Sequence, residues 1–223
     1  GFVREHYGPS QLIVSAAGAI DPDAVVRAGE RLFGHLTPRP GLAVLPARFR
    51  GRERREERDL EQAHIAIAFE APGIRAETVY DAAVYSIALG GGMSSRLFQE
   101  LRERRGLCYT TFAHSSAYDD TGLVTLYAGT GPDQLRELTE LTADELRRAA
   151  DGFSQAELDR ARAQMRAGLL MGLENPTARA ERMARMLGTW DRVPEVEEIV
   201  GRIDAATLAR LRDFGQALVA RAD

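Results

Sequence analysis

The residues with the clearest chemical capacity are Arg102 and Tyr109, seven positions apart in the stretch LGGGMSSRLFQELRERRGLCY from Leu89 to Tyr109. Arginine offers a rigid planar fork of N–H donors and tyrosine a single O–H donor, so both could bind one substrate. The stretch opens on Gly90, Gly91 and Gly92, continues as an amphipathic helix carrying Arg102, and passes through Gly106 into a strand beginning near Tyr109. That order puts the arginine at a helix end and the tyrosine on the neighbouring strand, within reach of one substrate. Taken singly, an arginine on a charged helix face is solvated and a strand tyrosine packs. Only the pair points to chemistry.

Other chemistries find less support. A metal site needs several ligands at tight spacing, and His6, His35, His64 and His114 form no pair at helical spacing and give Cys108 no partner. Neither H-E-x-x-H nor H-x-x-E-H occurs, so no metal ligand is assigned and this chain is expected to hold no zinc by itself. Ser94 and Ser95 follow glycines, but on a helix–glycine–helix path, whereas a nucleophile elbow sits between strand and helix. They read as helix N-caps. The same path and the missing G-x-x-x-x-G-K-[ST] exclude a phosphate loop. The three glycines read as a tight reversal between helices, and Cys108, facing away from Tyr109, as a buried, inert thiol.

Composition sets outer bounds. The 223 residues carry 44% hydrophobic and 28% charged side chains, ordinary for a globular protein of one large or two small domains. A net charge of −4 argues against a general nucleic-acid binder. All 29 basic residues are arginine and none is lysine, a bias from which no function is drawn. One cysteine excludes an internal disulfide framework. No apolar run approaches the ~18 residues of a membrane span, and no signal peptide is seen. Localisation stays open, cytoplasmic or periplasmic in a bacterium. Because the chain begins at Gly1 and reads as structured almost at once, it is expected to be a piece of a longer protein.

The elements that must position the pair follow in order. Gln11 to Ala17 reads as a buried strand, and Asp21-Pro22 as the start of a helix ending near Gly34. Thr37 to Arg58 holds Pro38, Pro40, Gly41 and Pro46 and then the charge run RGRERREER, which reads as a solvated linker. Gln62 to Glu70 alternates with Ile65, Ile67 and Phe69 on one face, a half-buried strand. Glu77 to Leu89 is a helix with Val79, Ala83, Val84 and Ile87 at helical spacing. Tyr109 to Ser115 and Leu123 to Ala128 form a hairpin around Asp119-Asp120-Thr121-Gly122. Ser154 to Glu157 is a capping box opening a long helix that Asn175-Pro176 breaks, with two or three helices beyond. LIVSAAG (Leu12 to Gly18) and LVTLYAG (Leu123 to Gly129) echo one another, as a repeated α/β unit would.

The central stretch, followed by a strand, DTGL and YAGT, closely resembles the second domain of the M16 metallopeptidases, the group of mitochondrial processing peptidase and insulin-degrading enzyme. HYGPSQLIVSAAGAIDPDAVVRAGERLFG resembles the closing strand and helix of the family's first domain, and ELDRARAQMRAGLLMGLENPTARAERMARMLG its second-domain helical region, so the likeness covers nearly the whole chain. It implies an α+β fold with a mainly antiparallel sheet and helices packed on one face. It also implies a division into residues 1–45 as the remnant of a preceding similar domain, 46–60 as a linker and 61–223 as the C-terminal domain. The family closes two halves around a peptide, with zinc on an H-x-x-E-H motif in one half and an R-x-x-x-x-x-x-Y pair in the other. Arg102 and Tyr109 fit that pair as catalytic residues, and Gly90, Gly91 and Gly92 fit a glycine-rich loop used in substrate binding.

The resemblance thus implies half of a zinc-dependent endopeptidase, with zinc held by the full-length enzyme or a partner subunit, peptide as substrate and a dimer as the assembly. In such an enzyme a zinc-activated water attacks the peptide carbonyl. Tyr109 would donate to the resulting oxyanion and Arg102 would fix the peptide, donors worth ~2.7–4 kcal/mol each when preorganised. The chain alone is expected to be inactive. Two alternatives stay open: a non-catalytic M16-like partner subunit of a zinc-bearing chain, and a scaffold without activity.

Overall fold

A computed structural model describes residues 7–38 and 45–220. By its internal contacts the chain forms two compact units, the first made of Gly1–Pro46 and Gly168–Glu195, the second of Ala47–Ala167 and Val196–Asp223. Gly168–Glu195 groups with the N-terminal segment.

In the first unit, helix α1 (Pro22–Phe33) begins where Asp21-Pro22 predicts it. The Asp21 side chain accepts from the Asp23 N–H at 3.0 Å, and proline's fixed φ suits the first turn. The strand expected over Gln11–Ala17 does not form. After a single 3₁₀ turn at Pro9–Gln11 the backbone runs irregularly, and among the described residues no strand pairs with it. Leu12, Ile13 and Val14 consequently stay exposed. An apolar run makes a strand only with a ladder partner, so of the two echoing segments just Leu123 to Gly129 is a strand. Helix α5 (Pro176–Trp190) also lies in this unit, capped by Asn175, whose side chain accepts from the Ala178 N–H at 3.1 Å.

The second unit is α+β. Strands β1 (Ala63–Ala71), β2 (Cys108–Ala117) and β3 (Gly122–Thr130) form an antiparallel sheet in the order β1-β3-β2. The register sets Ile65 opposite Ala128, Ile67 opposite Leu126 and Phe69 opposite Val124, and on the other side Thr111 opposite Ala128 and Ala113 opposite Leu126. These inward residues make one face of the core, whereas His64, Ala66, Ala68, Phe112 and His114 face outward and are exposed. Period-2 patterning therefore fixes which face the helices cover.

Helix α2 (Val79–Gly90) lies on that inner face. The sequence assigns it one apolar stripe through Val79, Ala83, Val84 and Ile87, but Asp81, Ala82, Val84, Tyr85, Ser86, Ala88, Leu89 and Gly90 are all buried. It is a central helix, enclosed on more than one side by the sheet and by α7 (Leu208–Val219). Asp81 is paired there with Arg210 of α7 at 2.8 Å, and burial nevertheless pushes its carboxyl above the usual range. Helices α3 (Leu135–Asp151), α4 (Gln155–Glu174) and α6 (Val196–Asp204) complete the described set. The capping box opens α4 as predicted: the Ser154 N–H donates to Glu157 Oε2 at 2.7 Å, and the Glu157 N–H to Ser154 Oγ at 3.3 Å.

Candidate functional site

The segment bearing Arg102 departs from the ordinary helix expected. It starts with a short α-helical turn at Arg96 and Leu97, then widens into a π-helix over Phe98–Arg104. Gly106, at φ 62°, ends it by entering the left-handed region that glycine adopts freely. Around that turn the Gly106 N–H donates to the Arg102 carbonyl at 2.9 Å and the Leu107 N–H to the Leu101 carbonyl at 2.8 Å. The backbone of Arg102 is thus tied directly to the turn that delivers Tyr109.

Tyr109 owes its direction to a β-bulge. Cys108 pairs with Thr130 and Thr110 with the adjacent Gly129, so Tyr109 is an extra residue between them. Counting inward positions back from Ala113 and Thr111 would bury Tyr109; the bulge re-aims it. Cys108 stays buried, as expected, its thiol pushed up by burial despite the nearby Arg102 charge, and Tyr109 is 75% exposed.

The structure brings the two together. The guanidinium carbon of Arg102 lies 4.7 Å from the centroid of the Tyr109 ring and equally 4.7 Å from that of Phe98. Such a cation–π contact contributes about 0.5–1 kcal/mol at an exposed site. Among the described residues the acidic neighbour of Arg102 is Glu103, 3.8 Å away. Among the described residues the Tyr109 hydroxyl has no hydrogen-bond partner. Phe98 was not singled out from sequence, although its place four residues before Arg102 is the spacing at which helical side chains meet.

The glycines have structural work. A Cβ at Gly90 would come within 2.3 Å of the Ala113 backbone nitrogen, so Gly90 lets the end of α2 touch β2 directly. A Cβ at Gly91 would meet the Ile87 Cα at 2.5 Å, and one at Gly92 only the Gln164 amide at 3.3 Å. The carbonyls that follow are all occupied by side chains: Gly91 accepts from Gln164 Nε2 at 2.6 Å, Gly92 from Ser95 Oγ at 2.6 Å and Met93 from Gln99 Nε2 at 2.7 Å. Ser95 therefore closes the turn by donating backward and does not cap with its side chain as the sequence suggests.

Comparison with known proteins decides the family. A family model described as "Peptidase M16 inactive domain" matches residues 1–165. The chain belongs to the M16 peptidase family. Relatives of this M16 chain include an "Uncharacterized zinc protease" of Rickettsia bellii, 35% identical over 93% of the chain and 51% of the relative. The "Uncharacterized zinc protease YmxG" of Bacillus subtilis is 30% identical over 97% of the chain and 53% of the relative. The chain thus spans about half the length of the curated relatives it matches. Among solved structures, a chain of "Complex III2 from Candida albicans, Inz-5 bound" superposes with a TM-score of 0.79 at 23% identity, covering 89% of this chain and 50% of that one. A protease from Helicobacter pylori gives 0.71 at 18% identity, covering 91% and 51%. These two share the fold.

The M16 zinc motif is not among this chain's residues. No group of three or more His, Cys, Asp or Glu side chains that could hold a metal ion occurs among the described residues. The described residues therefore do not assemble a zinc site by themselves. No helix among the described residues is long and apolar enough to cross a membrane.

Proposed function

We propose that this chain is the substrate-binding and transition-state-stabilising C-terminal half of an M16-type zinc-dependent endopeptidase. Arg102 and Tyr109 act as donors, and Gly90, Gly91 and Gly92 shape the turn beside them. The observation that carries this reading is the meeting of Arg102 with both Phe98 and Tyr109, its guanidinium carbon 4.7 Å from each ring centroid, at a tyrosine that is itself exposed. Tyr109 donates to the carbonyl oxygen as charge develops on it, and Arg102 holds the peptide backbone alongside. Both donors are fixed before substrate arrives, which is what lets them favour the transition state.

Zinc, together with the opposing wall of the cleft, comes from a zinc-bearing half, joined in the same polypeptide or supplied as a partner subunit in a dimer. The names of the curated relatives support zinc in the longer protein. In a non-catalytic partner subunit the same clamp would serve a site built on another chain.

Tyr109→Phe tests the reading, in a polypeptide that joins this chain to its zinc-binding half. The change removes one hydroxyl from an exposed ring and leaves the stack on Arg102 in place. We expect kcat to fall ~10²–10³-fold with little change in KM or zinc content, the loss measured for one oxyanion donor. An unchanged kcat and kcat/KM would reduce Tyr109 to a surface residue.

A further inference from the structure

We infer that Arg96, held by Glu157, is the positioning residue for Arg102, fixing the start of the π-helical segment so that the Arg102 guanidinium meets the Tyr109 ring. The inference rests on the proposed roles of Arg102 and Tyr109. Arg96 stands in the α-helical turn immediately before Phe98, and its Nε and Nη2 are both engaged. Nε donates to Glu157 Oε1 at 2.5 Å, and Nη2 donates to Glu157 Oε2 at 3.0 Å and to the Gly152 carbonyl at 2.8 Å. Its face lies 4.4 Å from the Phe153 ring centroid. Two acceptors in one plane plus a stacked ring call for a planar fork, which lysine cannot reproduce.

Glu157 cannot swing to follow a moving arginine. Its Oε2 also accepts from the Ser154 N–H and Ser154 Oγ, both at 2.7 Å, so the carboxylate is part of the cap of α4. The α3–α4 junction around Gly152 and the buried Phe153 is therefore an anchor for the segment 61 residues earlier. On the other side, the carbonyls of Gly91, Gly92 and Met93 are already fixed by side chains. The origin of the Arg102 helix is thus held from both directions.

That matters because the winding beyond it is the less favourable kind. π-helical turns are rare and persist where surrounding contacts impose them. Freed at its start, the segment gains by rewinding from i→i−5 to i→i−4 bonding, which rotates every later side chain about the axis. Arg102, six residues on, would leave the Tyr109 ring while the sheet stayed intact.

The test has two arms. In the 223-residue chain, hydrogen–deuterium exchange is compared for the native protein, Arg96→Gln and Arg96→Lys. We expect Arg96→Gln to lose at least tenfold protection over residues 100–107 while β3 keeps its protection, and Arg96→Lys to restore part of it. In the protein joined to its zinc-bearing half, Arg96→Gln should raise KM and lower kcat in the same proportion as Arg102→Ala, yet cost less than a further twofold when Arg102 is already alanine. Should Arg96→Gln not fold, Glu157→Met removes both acceptors of the same contact at similar length and is read identically. Unchanged exchange at residues 100–107, protection lost equally in β3, or a full multiplicative loss in the Arg102→Ala background would each overturn the inference. If instead Arg102→Ala is itself silent, the roles of the pair fail while the exchange arm still judges Arg96.

Discussion

The Arg102 guanidinium lies over the rings of both Phe98 and Tyr109, 4.7 Å from each centroid. That geometry separates two effects that substitution can read. On the proposed reading Arg102→Ala removes a charged donor to the peptide in both ground and transition states, so KM should rise about 10-fold, the scale of one hydrogen bond from a charged group, while kcat also falls. Arg102→Lys should recover little, because an ammonium neither stacks as a plane nor presents a fork. Combined with Tyr109→Phe, the loss in kcat/KM should be less than the product of the single losses, since both donors act on one bound group. Steady-state kinetics of the four forms is sufficient. Purely independent losses would place the two residues on separate groups of the substrate.

At the scale of elements, Gly90 is a tight constraint beside the site. Gly90→Ala pushes a methyl group against the Ala113 backbone, which cannot move aside as a flexible side chain can. We expect a loss of about 1–3 kcal/mol, seen as a lower urea midpoint with unchanged slope. The α3–α4 junction offers a second measurement. Burial alone would raise the Glu157 carboxyl, but hydrogen bonds from Arg96 and Ser154 outweigh it and bring it to about 2. A carboxyl depressed on folding stabilises above its unfolded value of roughly 4.3 and loses that contribution as pH falls through the folded one. Unfolding midpoints between pH 4.5 and about 2 should therefore fall more steeply in the native chain than in Glu157→Gln. Asp81 and Glu145 are shifted upward by burial, so the contrast between the two forms, and not the native curve alone, is the readout.

Much of this layer was legible in the sequence wherever the signal is local. The alternation of Gln62 to Glu70, the DDTG hairpin, the Ser154–Glu157 box and the Asn175-Pro176 break each need only a few neighbours, and each element stands where they put it. The Arg102–Tyr109 spacing also pointed to two residues that do meet. What escaped depends on distant partners. The π winding, the bulge at Tyr109, the grip of Glu157 on Arg96 and that of Gln164 on Gly91 all rest on which helix packs where. The strand expected at Gln11–Ala17 failed for the complementary reason: its pattern is right, but a pattern without a partner is only an extended chain.

For the molecule as a whole, the connection from Ala47 to Leu60 is the exposed place for attack. It is irregular and exposed throughout, and its ion pairs, Arg54–Glu56, Arg55–Glu57 and Arg58–Glu56, are between near neighbours. Exposed pairs of that kind add little stability, and irregular surface backbone is the preferred protease substrate. Brief trypsin treatment should cut first at arginines between Arg48 and Arg58, leaving a core fragment that begins near β1. First cleavage at Arg102, Arg104 or Arg105 would mean that the π-helical segment is the less firmly held element.

The division into two units also decides what light can report. The single tryptophan, Trp190, is the last residue of α5 and belongs to the first unit, whereas Tyr80, Tyr85, Tyr109, Tyr118 and Tyr127 all belong to the second. The indole therefore sits outside the unit that carries Arg102 and Tyr109. A melting curve followed by indole emission alone would be a record of α5 and its surroundings, and a variant could lose its donors' geometry with the signal untouched. Phenol emission or circular dichroism has to be watched beside it, and the gap between the two curves is the measure of how independently the halves come apart.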